Sequence, residues 1–151
     1  MHISCPSDIT AASGLDALTQ LIEAYTSTQA NTMTDALAIE GISLCARSLK
    51  KAVRTGDNIE ARSDMALAAY LSGVVLANAG LGVVHGFASS VASMFDIPHG
   101  VICGTLLGES TRINIKKARS LDNQTALSKY ANVGKIFAKD SNKNDSCILI
   151  F

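Results

Sequence analysis

A chain of 151 residues with zero formal net charge is long enough for one domain with its own core. Basic and acidic residues balance, which argues against a general nucleic-acid binder, since that needs a basic face toward phosphate; the most basic stretch, Lys116, Lys117 and Arg119, reads as a solvated helix face. The composition is 48% hydrophobic, poor in aromatics and without Trp, which suits closely packed helices.

In chain order, the first ten residues read as an extended entry, with Pro6 and Asp8 as turn formers. Leu15, Leu18, Leu21 or Ile22, and Tyr25 recur at helical spacing and predict a helix over Ser13–Tyr25. Ser13 followed three residues later by Asp16 fits a capping arrangement at its start. A polar break over 27–31 precedes a second helix, Thr34–Arg54, with Leu37, Ile39, Ile42, Leu44, Ala46 and Leu49 on a broad apolar face. Lys50, Lys51 and Arg54 suit its C-terminal end, where cations oppose the helix dipole. After the stop at Thr55-Gly56-Asp57-Asn58 a third helix covers Ile59–Asn78 and runs into the step Gly80-Leu81-Gly82. A shorter helix follows over Val83–Met94, then a turn at Pro98-His99-Gly100, a helix over Val101–Asn114 and a last one over Thr125–Ala138. No segment alternates with period two for long, so the fold class is all-α, with a helix bundle as the default.

The four cysteines, Cys5, Cys45, Cys103 and Cys147, form no CxxC pair and read as free thiols in a reducing cytoplasm rather than as a disulfide framework. The N-terminus lacks the basic region and apolar run of a signal peptide. Met65 to Phe95 carries no Asp, Glu, Lys or Arg and is long enough to span a bilayer. Its four glycines, Asn78 and His85, without aromatic belts or basic flanks, favour a helix buried inside a protein, so no membrane contact is expected.

Three histidines exist, and two fall in the most apolar part: His85 in Gly82-Val83-Val84-His85-Gly86, and His99 in Ile97-Pro98-His99-Gly100. A histidine in such a setting is more often a hydrogen-bonded core residue than a ligand. The adjacent glycines, which allow close approach, raise the alternative that the two converge on one ion. Asp16 and Gln20, at i and i+4, share a helix face. Spacing alone makes Asp16 a first-turn acidic residue and Gln20 a surface amide, and gives Glu23 and Asp35 no context beyond the surface. No nucleophile elbow, GxGxxG loop or P-loop is present, so no residues for a dinucleotide phosphate are identified.

Three segments together carry a resemblance. Thr10-Ala11-Ala12-Ser13-Gly14-Leu15-Asp16-Ala17-Leu18-Thr19-Gln20-Leu21-Ile22-Glu23-Ala24-Tyr25, then Asn78-Ala79-Gly80-Leu81-Gly82-Val83-Val84-His85-Gly86-Phe87-Ala88, then Ile97-Pro98-His99-Gly100-Val101 resemble the C-terminal helical domain of iron-containing (group III) alcohol dehydrogenases. Order and spacing agree, including the fourteen residues from His85 to His99, and the resemblance covers roughly Ser4 to Phe137. It implies a divalent metal, Fe²⁺ or Zn²⁺, at Asp16, Gln20, His85 and His99. Gln20 stands where the family usually has a histidine, and an amide oxygen is the weaker ligand. Weak metal binding is therefore expected, tightened by Gln20→His. The similar dehydroquinate synthases hold their metal with one carboxylate and two histidines. Ser89 takes the place of another histidine that many relatives have near nicotinamide and substrate.

The resemblance further implies NAD(P)-linked oxidation of a small alcohol or reduction of an aldehyde, in a cytoplasmic protein compatible with a homodimer. It implies a domain over 1–138, a divergent tail over 139–151, and an N-terminal nucleotide-binding domain that is missing here. Such a truncated piece is expected to oxidise no alcohol alone; its rival is a non-catalytic gene remnant with residual metal binding.

Overall fold

The computed structural model describes residues 4–138. Among them are six helices and no strand: α1 (Ser7–Thr26), α2 (Thr32–Arg54), α3 (Ile59–Ala79), α4 (Val83–Met94), α5 (His99–Ser120) and α6 (Gln124–Ala138). The all-α expectation holds. The tail expected over 139–151, with Cys147, lies outside the described residues, as does His2.

Helix α1 is the hub and packs against all five others. This is why its second half is buried almost all round, from Ala17 to Tyr25 with only Gln20 half-exposed. The main core gathers Leu18, Leu21, Ile22, Ile42, Leu44, Cys45, Ala68, Leu71 and Val75 from α1, α2 and α3, with Leu107 of α5 and Val133 of α6 joining it. A smaller core of Val84, Ala88, Ile102 and Cys103 lies between α4 and α5.

Two helix starts differ from the sequence reading. Helix α1 begins at Ser7, not Ser13, so residues 7–10 are helical and not part of an extended entry. Pro6 sits just before it, and its carbonyl accepts from the Thr10 N–H (2.9 Å) and Oγ1 (2.8 Å). Proline fits at a helix start because its missing N–H has no partner to lose there. Ser13 does not cap: its hydroxyl donates back to the Ile9 carbonyl at 2.7 Å, inside the helix. Likewise α5 starts at His99, so Pro98-His99-Gly100 opens a helix instead of making a free turn. It also runs to Ser120, where Lys117 and Arg119 oppose the dipole of the last turn.

Between α3 and α4 the chain turns by 105°. Gly80, at φ 71°, supplies a left-handed residue that an L side chain avoids. The uncharged stretch is thereby split, and among the described residues no single helix is long and apolar enough to cross a membrane. The turn sends α4 onto α5 and brings its N-terminus against α1.

Candidate metal centre

The metal-ligating types converge where α1, α4 and α5 meet. Asp16 lies in the third turn of α1, because that helix starts at Ser7; a first-turn dipole role falls to Asp8 instead. His85 sits in the first turn of α4 and His99 opens α5. His85 Nε2 is 3.1 Å from Asp16 Oδ1, and His99 Nε2 is 3.6 Å from the same oxygen. The two rings lie 5.5 Å apart, centroid to centroid. Cys103, one turn into α5 and fully buried, joins them: its sulfur is 3.8 Å from His85 Nε2. One donor atom from each of Asp16, His85, His99 and Cys103 lies within 4.8 Å of the other three.

Gly100 makes this convergence feasible. A Cβ built there would stand 1.9 Å from the Ala12 carbonyl oxygen, so α5 crosses α1 in direct backbone contact. Sequence reasoning placed a glycine of this kind beside each histidine; Gly86, beside His85, faces open space instead.

Gln20 stands at the edge of the site and serves Asp16. Its Nε2 donates to Asp16 Oδ2 at 3.0 Å, while its Oε1 accepts from the Ser72 hydroxyl at 2.8 Å. The carboxylate dictates that orientation, since an amide oxygen turned toward it would be repelled. The oxygen by which an amide would serve a metal is thus turned toward Ser72, and the Nε2 toward Asp16. Ser89 is exposed on α4.

Glu23 was read as a surface residue, and the structure corrects this: it is 8% exposed. Its carboxylate accepts from the backbone N–H of Val84 (2.7 Å) and of His85 (3.3 Å), and meets His85 Nδ1 at 2.7 Å. Helix α4 has no side-chain cap of its own, so a carboxylate from α1 caps it across 61 residues of sequence. The same carboxylate fixes the His85 ring with Nε2 toward Asp16, the outer-partner arrangement common to metal-binding histidines. The i, i+7 step from Asp16 to Glu23 was the available signal, because it places both on one face of α1.

These contacts set the charges of the metal-free site. Burial disfavours a charged His85, but the bonds from Asp16 and Glu23 outweigh it and raise its pKa to about 9. Burial likewise opposes the charges of Asp16 and Glu23, yet both stay below the ordinary carboxylate range, held mainly by His85 and, for Glu23, by the Val84 and Gly82 N–H groups. Burial and then the Asp16 charge push the Cys103 thiol up to about 12. One carboxylate, two imidazoles and a thiol around one point are a donor set suited to a divalent transition ion, so the residues fit such a metal.

Residues 10–148 match the model of the Fe-containing alcohol dehydrogenase family, C-terminal. The chain belongs to the iron-containing alcohol dehydrogenase family. It is 47% identical over 110 residues to the 1,3-propanediol dehydrogenase of Citrobacter freundii, covering 73% of this chain and 28% of that protein. It is 44% identical over 115 residues to alcohol dehydrogenase 4 of Schizosaccharomyces pombe, covering 76% and 27%. The chain thus spans under a third of the length of these relatives. Among solved structures it superposes on a 1,3-propanediol oxidoreductase with TM-score 0.86 and 35% identity, over 97% of this chain and 39% of that one. An alcohol dehydrogenase from Oenococcus oeni gives TM-score 0.86 and 32% identity, over 97% and 37%. The six-helix fold is that of the family's C-terminal domain.

Proposed function

We propose that this chain supplies the metal-binding wall of an NAD(P)-linked alcohol dehydrogenase, working on a small alcohol or aldehyde in the cytoplasm. The observation that carries the reading is the convergence of Asp16, His85 and His99 from three different helices. Separate elements bring carboxylate and imidazole donors together at a cost in desolvation, and a bound Fe²⁺ or Zn²⁺ offsets that cost. Such an ion is a Lewis acid that polarises a substrate oxygen and favours its alkoxide form.

The chain's own residues do the positioning. Glu23 orients His85 through Nδ1, so that Nε2, once it gives up its proton, would be the nitrogen offered to the ion. Gln20, braced by Ser72, holds the second oxygen of Asp16 so that the first faces the histidines. His99, with 38% of its side chain exposed, is the open side of the site.

Hydride transfer also needs a held nicotinamide, and these 151 residues contain no phosphate loop. The matched segment covers under a third of each relative, which supports a partner domain. We therefore expect the chain alone to bind one divalent ion without turning over alcohol. Activity is expected once a family N-terminal domain is supplied, because proximity and orientation of the two reactants carry much of the rate. Metal analysis of the purified chain and of Asp16→Asn tests the first part. Nicotinamide absorbance during alcohol oxidation, with and without the added domain, tests the second. A chain that binds no ion, or turnover by the chain alone that His85→Ala abolishes, would defeat the reading.

A further inference from the structure

We propose that Cys103 is a fourth protein ligand, completing an Asp16–His85–His99–Cys103 shell that suits Zn²⁺. The inference rests on the metal-site reading above and extends it to a residue that no sequence motif singled out.

Geometry carries it. A tetrahedral ion with N and O ligands at about 2.0–2.1 Å and S at about 2.3 Å separates N from O by about 3.3 Å and N from S by about 3.6 Å. In the structure His85 Nε2 to Asp16 Oδ1 is 3.1 Å, His99 Nε2 to Asp16 Oδ1 is 3.6 Å, and Cys103 Sγ to His85 Nε2 is 3.8 Å. All three lie close to the edges of one coordination tetrahedron. The remaining edges stay within 4.8 Å and close with small side-chain shifts. Gln20, by contrast, turns its Nε2 rather than its oxygen toward Asp16.

The bland account of Cys103 is a small apolar residue in the α4–α5 core, where it does pack with Val84, Ala88 and Ile102. Its sulfur also reaches the donor cluster, 3.8 Å from His85 Nε2 and in hydrogen-bonding contact with Asp16. On binding, the thiol proton would pass to solvent and a sulfur lone pair would go to the ion. A thiolate shifts the set from harder oxygen-rich ligation toward zinc. Four protein donors fill a tetrahedron, so a substrate oxygen would reach the ion by expansion to five positions.

The test uses the full chain loaded with Co²⁺ as a spectroscopic probe and with Zn²⁺. One Co²⁺ per chain is expected, with a near-ultraviolet thiolate-to-cobalt charge-transfer band that Cys103→Ala removes and Cys45→Ala keeps. Zinc affinity should fall at least roughly tenfold in Cys103→Ala, the lower edge seen for losing even an outer partner. Should that variant misfold by circular dichroism, zinc-edge absorption on the unaltered chain decides: one sulfur scatterer at about 2.3 Å is expected. If Co²⁺ binds in an Asp16-dependent way without the band, or zinc shows no sulfur neighbour, Cys103 is not a ligand although the metal site stands. If the folded chain takes up neither ion, both readings fall.

Discussion

Glu23 does more at the site than its position in the sequence discloses. One buried carboxylate satisfies two N–H groups at the head of α4 and the Nδ1 of His85. In Glu23→Gln the charge goes while size is kept, so metal affinity should drop roughly 10–100-fold, as for outer partners generally. Zinc titration by calorimetry measures it, and an unchanged affinity would show that His85 is oriented by packing alone. The same charges make metal-free stability depend on pH. The His85 pKa, about 9, lies above its ordinary 6.5, so its contribution is complete below about 6.5 and disappears as pH rises through about 9. Asp16 and Glu23, held below 3.8 and 4.5, contribute above those values and lose their share as pH falls. Denaturant midpoints of metal-free chain should therefore be highest between about 4.5 and about 6.5 and decline toward 9. His85→Gln should flatten the alkaline limb; a limb that persists would place the titrating group elsewhere.

Two contacts between elements set how the helices meet. At the α1–α5 crossing, Gly100→Ala would drive a methyl into the Ala12 carbonyl, a backbone atom that cannot rotate away. The helices must separate, which moves His99 from Asp16. We expect a loss of about 3 kcal/mol or more in unfolding free energy together with loss of metal binding. Stability near the parent value would mean that α5 can slide without cost. At the other end of α1, Lys129 of α6 donates to the Tyr25 carbonyl and to Asp35 Oδ1, both at 2.8 Å, and lies over the Tyr25 ring. This locks α6 onto α1 and α2, far from the donors. Lys129→Ala should cost about 1.5–3 kcal/mol, the range for hydrogen bonds to a charged group, with metal affinity unchanged. A change in affinity would reveal a coupling between α6 and the site.

For the whole molecule, one group of exposed apolar side chains lies along the segment that joins His85 to His99. Phe87, Met94, Phe95, Ile97 and Val101, on α4, the link after it and the start of α5, are 42–74% exposed. Apolar side chains grouped in this way favour association. The chain alone is expected to self-associate with rising concentration in sedimentation velocity, less so in the double variant Phe87→Ser, Phe95→Ser. A monomer at all concentrations would show that the patch is well solvated.

Much of this was legible in the residues themselves. Helical periodicity determined six helices and an all-α class, because apolar spacing follows directly from 3.6 residues per turn, and three motifs in register pointed to Asp16, His85 and His99 as neighbours. Tertiary structure alone decided the rest. Helix starts at Ser7 and His99 depended on the carbonyl of the preceding proline accepting the first helical N–H, which periodicity does not report. The roles of Glu23, Gln20 and Cys103 depended on what lies across from them: α4's uncapped N-terminus, Ser72 of α3, and the point where α1, α4 and α5 meet. A charge or thiol has the same local signature on a surface as in a site. Only the packing of distant elements, here governed by the Gly80 bend and the Gly100 crossing, determines whether it faces water, an apolar core or a converging set of ligands.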